Sequence, residues 1–231
     1  MSALISCIIP VFNGELYVRE AIGSVLAQEH RPLELIVVDD GSTDGTANVV
    51  ASCGPEVRYL FQRNMGPTAA RNRGLASARG EIIAFLDADD LWHDQKLDRQ
   101  LAVLAERPEV DVCLTHVRLF WEKELHAEET RYRQEERTEA AGGAGSTMLM
   151  RRRAFEVAGD FLPDRPHSGL VEWFGRARAH GVIVHMIQEV LVSRRMHAAS
   201  ISRIGRSDSH AEMFDLIKRR IDRHREAPQS P

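Results

Sequence analysis

The stretch Ile82-Ile83-Ala84-Phe85-Leu86-Asp87-Ala88-Asp89-Asp90 decides the reading of this 231-residue chain. Its five leading apolar residues, with no turn former among them, predict a short buried strand. The strand delivers three carboxylates at or just past its C-terminal end. Like charges this close repel each other, and desolvating them together is costly. A hard divalent cation that also meets substrate phosphates offsets both costs. A solvated Asp-rich turn is the plainer alternative, because Asp is a common turn former.

A second strand ends the same way. Leu33-Glu34-Leu35-Ile36-Val37-Val38 runs into Asp39-Asp40-Gly41-Ser42-Thr43-Asp44-Gly45-Thr46. Ligands of open α/β sheets bind outside the carboxyl ends of the strands, so two acidic strand ends reinforce each other. Ser42 and Asp44 also suit N-capping of the helix that follows.

The N-terminal half alternates strands with helices. Strands are expected at Leu4–Ile9, Leu35–Val38, Val57–Phe61 and Ile82–Leu86. Helices are expected at Leu16–Ala27, Ala47–Ser52, Pro67–Ala78 and Gln95–Glu106. This order implies a mostly parallel sheet with right-handed crossovers. The second half is less regular. Strands are expected at Val112–Phe120, Thr147–Met150 and Val182–Ile187, and helices at Arg153–Val157 and Glu172–Ala179. Gly181 is suited to end the last of these. Glu122–Glu139 is dense in charge and reads as a solvated helix or a mobile excursion. An amphipathic helix is expected from Ser209 to Arg225, with Met213, Phe214, Ile217 and Ile221 on one face.

Composition narrows the function. A hydrophobic content of 43% supplies an ample core, and the formal charge of −4 argues against a nucleic-acid partner. Cys7, Cys53 and Cys113 are scattered, odd in number and without C-x-x-C spacing, which argues against a disulfide framework or zinc site and fits a reducing compartment. No run approaches the roughly 20 apolar residues that span a bilayer, and no leader pattern opens the chain, so a cytoplasmic location is expected.

Four blocks now fall into a recognisable order: Cys7-Ile8-Ile9-Pro10-Val11-Phe12-Asn13; Val37-Val38-Asp39-Asp40-Gly41-Ser42-Thr43-Asp44; Asn64-Met65-Gly66-Pro67 with Ala70-Arg71-Asn72-Arg73-Gly74; and Phe85-Leu86-Asp87-Ala88-Asp89-Asp90. Together they resemble an inverting glycosyltransferase of family 2, with the GT-A nucleotide-diphospho-sugar transferase fold. The resemblance is dense from residue 4 to about residue 92. It thins beyond residue 110 to Gly159-Asp160-Phe161, Glu172-Trp173 and Arg194-Arg195-Met196-His197. It implies an α/β GT-A domain over residues 1–205, with 1–110 binding the donor and 111–205 the acceptor. Residues 206–231 would form a C-terminal helix and tail. That tail would dock on the domain, on a second subunit or at the periphery of an anionic membrane.

The resemblance also implies a site. The donor would be a UDP-, GDP- or TDP-sugar, and Mn²⁺ or Mg²⁺ would neutralise its diphosphate. Asp87 and Asp89 match the family's D-x-D element. Asp89 would contact the metal, and Asp87 the ribose or the metal's water. His197, in an Arg-x-His element, is a third candidate ligand. Asp90 would position the donor sugar or cap the next helix. Pro10, Phe12 and Asn13 match the segment that lines the nucleotide, with Phe12 against the base or, alternatively, in the core. Asp39 or Asp40 would accept a hydrogen bond from base or ribose. Arg71 would lie near the diphosphate, or pair with Asp39 or Asp40. Arg194 and Arg195 would meet the diphosphate or pair with the acidic excursion.

An inverting transfer needs a carboxylate to take the acceptor's proton. The family usually supplies a Glu-Asp pair at the start of the relevant helix, where this chain has Gly169 and Leu170. Glu172 is the nearest carboxylate, with Asp164 next. A first-turn Glu also suits a helix N-terminus simply by its charge. The acceptor, whether glycan, lipid or small molecule, is not legible. Two other classes compete. A non-catalytic nucleotide-sugar-binding or scaffold protein would explain the missing pair. A haloacid-dehalogenase-type phosphohydrolase would use Asp87 as nucleophile, although that motif normally sits in the first strand.

Overall fold

The computed structural model describes residues 3–135, 138–142, 145–163 and 169–200. The strands are β1 (Ile5–Val11), β2 (Leu33–Asp39), β3 (Val57–Phe61), β4 (Ile82–Phe85), β5 (Leu91–Trp92), β6 (Val112–Trp121), β7 (Glu139–Ala141), β8 (Leu149–Arg151) and β9 (Val184–Met196). The α-helices are α1 (Val18–Leu26), α2 (Thr46–Ala51), α3 (Pro67–Ser77), α4 (Lys96–Glu106), α5 (His126–Gln134), α6 (Arg153–Ala158) and α7 (Gly169–Ala179). The expected Ser209–Arg225 helix, the boundary at residue 205 and the tail lie outside the described residues.

One sheet runs in the order β3-β2-β1-β4-β8-β6-β9-β5, with β7 added alongside β6. The first four strands are parallel, as their alternation with helices requires. Antiparallel pairing joins β8 to β4 and to β6, and β5 to β9, while β9 runs parallel to β6. Both faces of the central strands are covered, so they read as continuous apolar runs rather than alternating ones. Ile5, Cys7, Ile9 and Val11 of β1 face one core with Val18, Ile22 and Val25 of α1 and Leu97 of α4. Ile8 faces the other, with Ala70 and Leu75 of α3 and Trp173 of α7. There Phe85, Phe155, Phe161 and Trp173 form an aromatic cluster with ring centroids 5.2–6.2 Å apart.

Register puts the chemistry at one edge. Val11 pairs with Asp39, so the ends of β1 and β2 are level. Strand β4 stops at Phe85, opposite Ile8, and the chain turns away through Asp87–Asp90 at the same edge. Pro10 lies beyond the last β1–β4 pair, where its missing N–H does not interrupt that ladder.

The structure departs from the sequence expectations in the second half. Strand β9 has 13 residues and continues past Ile187 to Met196. Gln188-Glu189 and Arg194-Arg195 interrupt the apolar pattern there, which hides the extension. The charged segment after Trp121 does agree with the solvated-helix reading: it is a short 3₁₀ turn and α5, with no buried residue in either. The two-residue β5 and the exposed β7 carry too few residues to show a period.

One buried cation stands out. Lys96, the first residue of α4, is fully buried. Its Nζ donates to Gln100 Oε1 at 2.7 Å and lies 4.1 Å from the centre of the Trp92 ring. No carboxylate pairs with it among the described residues. Burial drives its pKa down to about 7. Above that pH the unfolded chain holds a proton that the folded chain lacks, so stability should rise with pH toward the ordinary lysine range. The slope reaches at most about 1.4 kcal/mol per pH unit. Lys96→Met should flatten that rise in urea denaturation series between pH 7 and 10; an unchanged slope would place the proton elsewhere.

Helix α3 packs on β1 through Gly74. A Cβ built there would meet Ile8 Cγ2 at 2.3 Å. Gly74→Ala should therefore cost about 1–3 kcal/mol of stability, the usual scale of overpacking, despite the better helix propensity of Ala. A urea midpoint equal to or above that of the wild type would show that the helix shifts without strain.

Candidate active site

The acidic turn is built from a strand end and a serine. Leu86 N–H still donates to Ile8 O at 3.1 Å, continuing the ladder, and Asp90 N–H closes the turn on Asp87 O at 3.0 Å. Ser146, buried after the glycine-rich segment, serves two of the carboxyl residues. Its Oγ accepts from Asp87 N–H at 3.1 Å and donates to Asp90 Oδ2 at 2.6 Å.

The three carboxylates have different surroundings. Asp87 Oδ1 accepts from Arg71 Nη2 at 2.6 Å. Asp89, partly open, places Oδ2 3.0 Å from His197 Nε2. Asp90 is 2% exposed, and its Oδ1 also accepts from Arg195 N–H at 3.2 Å. Burial first, then Asp89 and Asp87, raise the pKa of Asp90 well above the usual carboxylate range. Asp90 caps no helix: α4 starts at Lys96, after Gln95. It lies beneath Asp87 and Asp89 as an internal acceptor.

The ends of β1 and β2 are stitched together. Phe12 is 50% exposed, so it is not the core residue of the alternative reading. Asn13 has φ of 50° in the left-handed region, where Asn is tolerated. Its N–H donates to Ser42 Oγ at 2.9 Å, and its Oδ1 accepts from Thr43 N–H at 2.9 Å. Asp44, rather than Ser42, bonds the start of α2, accepting from Thr46 N–H at 3.0 Å. Asp39 is buried and accepts from Ser42 N–H and Tyr59 Oη, both at 2.7 Å. Tyr59 was not singled out in the sequence; burial and the bond to Asp39 raise its pKa above the ordinary phenol range. Asp40 accepts from Gln62 Nε2, Met65 N–H and Gly66 N–H at 2.7–2.9 Å, which ties β2 to the loop before α3.

Four expectations are corrected, decided or outside the described residues. Arg71 pairs with Asp87, not with Asp39 or Asp40. Its Nε is buried without a partner, and Gly145 lies close over it, where a Cβ would be 3.6 Å away. Glu172 does not present a free carboxylate: Arg176 binds both its oxygens, at 3.1 and 3.0 Å, and also donates to the carbonyls of Ala158 and Asp160. Helical spacing of four residues makes this pair local. Asp164 lies outside the described residues. The sequence left Arg195 undecided between two partners; the structure gives it to Glu122 and Glu20, at 2.5 and 2.7 Å.

Asp89 and His197 offer one oxygen and one nitrogen to a divalent cation. Among the described residues, no group of three or more His, Cys, Asp or Glu is gathered to hold an ion by itself. The pair therefore fits an ion that takes its other ligands from a diphosphate and water, the common arrangement for Mg²⁺ and its analogues.

A strand-edge acidic site on a mostly parallel α/β sheet is shared with known enzymes, and their likeness assigns the family. The model of glycosyl transferase family 2 matches residues 6–159, and the chain belongs to that family. An uncharacterized glycosyltransferase of Rickettsia typhi is 41% identical over 113 residues, 49% of this chain and 36% of the relative. Matches to other curated relatives span 15% to 46% of their lengths. Staphylococcus aureus TarS 1-349, solved in complex with UDP-GlcNAc, superposes with a TM-score of 0.63 at 20% identity, over 85% of this chain and 59% of that one. The mannosyltransferase PcManGT of Pyrobaculum calidifontis, solved with GDP-Man and Mn²⁺, gives 0.69 at 23% identity, over 95% and 65%. The fold is thus the GT-A glycosyltransferase fold. Family membership displaces the phosphohydrolase reading. No described helix is long and apolar enough to cross a membrane.

Ser146→Ala would strip a donor from Asp90 and an acceptor from Asp87 N–H. Orphaned buried groups cost about 1–3 kcal/mol each. The urea midpoint should fall with an unchanged slope; a wild-type midpoint would mean that water replaces the hydroxyl.

Proposed function

We propose that the chain is the catalytic domain of a metal-dependent, inverting glycosyltransferase, moving a sugar from a nucleoside diphosphate to an acceptor hydroxyl. One observation carries this reading: Asp87 and Asp89 of the acidic turn, Arg71 of α3 and His197 past β9, drawn from three separate segments, converge at the strand edge with the exposed Phe12 and the buried Asp39. The similar structures, one solved with UDP-GlcNAc and the other with GDP-Man and Mn²⁺, support a nucleotide-sugar donor without choosing its base.

In this reading the nucleoside lies at the ends of β1 and β2. Phe12 supplies an apolar face for the base. Asp39, fixed by Ser42 and Tyr59, accepts a hydrogen bond from base or ribose. Asp40 holds the wall of that pocket by binding Met65 and Gly66. Asp89 and His197 would hold Mn²⁺ or Mg²⁺, which supplies charge neutralisation at the diphosphate when bound. Arg71, with its unpartnered Nε, offers a donor on the same side. Asp87 holds Arg71 in place and remains open to ribose or water.

The acceptor's proton needs a base. Glu172 would have to leave Arg176 to serve, and each proton taken would break that ion pair. Asp164, the second carboxylate that the sequence offers, becomes the preferred base. Asp164→Asn should lower transfer by about 10²–10⁴-fold, as loss of a general base does, with nucleotide affinity kept. Glu172→Gln should instead lower thermal stability and leave most turnover. The reverse pattern would return the role to Glu172. Nucleotide-sugar binding without transfer, across a broad acceptor panel, would favour the non-catalytic binding protein. The replacement of the usual acidic pair by Gly169 and Leu170 keeps that second reading in play.

Asp89→Ala should abolish the Mn²⁺-dependent part of UDP or GDP binding in calorimetry while the melting temperature stays near wild type. Equal affinity with and without Mn²⁺ in both proteins would refute the metal assignment. Vesicle binding and mass measurements on the whole chain test whether its tail docks on a membrane or a second subunit.

A further inference from the structure

We propose that Arg195 is a positioning residue that clamps the acidic turn and sets the spacing between Asp89 and His197, rather than a ligand of the diphosphate. Its side chain is 7% exposed. Nε donates to Asp89 O at 3.1 Å, Nη1 to Glu122 Oε1 at 2.5 Å and Nη2 to Glu20 Oε2 at 2.7 Å. Its own backbone N–H donates to Asp90 at 3.2 Å. The guanidinium plane lies between two rings, 4.7 Å from Tyr17 and 4.6 Å from Phe120.

This one side chain therefore joins α1, the end of β6, the acidic turn and β9. His197 follows two residues later, and its ring sits 4.7 Å from that of Tyr17. Two carboxylates face one guanidinium, so the local charge is negative and gives no attraction for a phosphate. A planar fork with donors on three sides suits this geometry, and a lysine ammonium on a flexible stem does not. The extension of β9 is what brings the residue here: Arg195 pairs with Phe120 in register.

The consequence at the ligand rests on the nucleotide-sugar reading; the clamp itself does not. Hydrogen–deuterium exchange of the ligand-free chain tests the clamp. Arg195→Lys should speed exchange in the segment 87–92 by about tenfold, the scale of one lost charge-assisted hydrogen bond, with β1–β3 unchanged. Glu122→Gln, which loosens the fork but keeps Nε in place, should give a smaller rise in the same segment and serves if Arg195→Lys does not fold. Unchanged exchange of residues 87–92 in these variants would overturn the proposal.

Calorimetry with UDP and GDP tests the consequence. Positioning predicts that Arg195→Lys keeps the metal-free affinity and loses about tenfold in the Mn²⁺-dependent gain. A fall in metal-free affinity of equal size would make Arg195 a direct phosphate ligand and overturn the proposal. If the wild type binds neither nucleotide with Mn²⁺, the nucleotide reading falls, and the exchange result alone decides whether Arg195 clamps the turn.

Discussion

Three carboxyl groups within four residues at the end of a buried strand are the constraint on which the rest of this structure depends. Two unit charges 4 Å apart interact by about 4 kcal/mol at the effective dielectric of a protein surface, so leaving all three unpaired would consume much of an ordinary domain's stability. The fold treats each differently. Arg71 reaches from α3 to Asp87, His197 from past β9 to Asp89, and Ser146 with the Arg195 amide to the buried Asp90. The elements that supply these partners are the ones that flank the strand edge.

This arrangement divides labour between rigid and open groups. Asp90, Ser146 and Arg195 lie inside and fix the turn; Asp87, Asp89 and His197 stay partly open. Burial raises the pKa of Asp90, which favours its neutral form and lessens the repulsion beside Asp89 and Asp87. On the nucleotide side the same division recurs. Asp40 is consumed by three internal donors, while Phe12 stays exposed beside it in the fold. A site built on strand ends and backed by buried polar bonds holds its groups more tightly than one carried by loops alone.

The first half was legible because its strands are uninterrupted apolar runs closed by Asp, Gly and Pro. The four parallel strands, their helices and the acidic edge all followed from that pattern. The second half hid its main feature. Strand β9 is twice as long as its apolar run, since Glu189 and Arg195 face charged partners in the fold, Arg99 and Glu122, rather than solvent alone. Sequence picked out His197 and offered Arg195 the acidic excursion that supplies Glu122, but not its bonds to Glu20 and Asp89 O, because those partners are far away along the chain. Lys96 and Gln100 are spaced by four on the inner face of α4. That polar pair was visible in the sequence, but its burial against Trp92 was not. Glu172 sits at the position the resemblance points to, but Arg176 one turn later binds its carboxylate.

The most direct measurement is a crystal of the whole chain grown with Mn²⁺ and either UDP or GDP, with anomalous data collected at the manganese edge. The account predicts a single strong peak within coordination distance of Asp89 and His197, with the diphosphate beside Arg71 and the base against Phe12. A peak absent from that edge, or a nucleotide bound elsewhere with Asp89 and His197 still paired to each other, would contradict it.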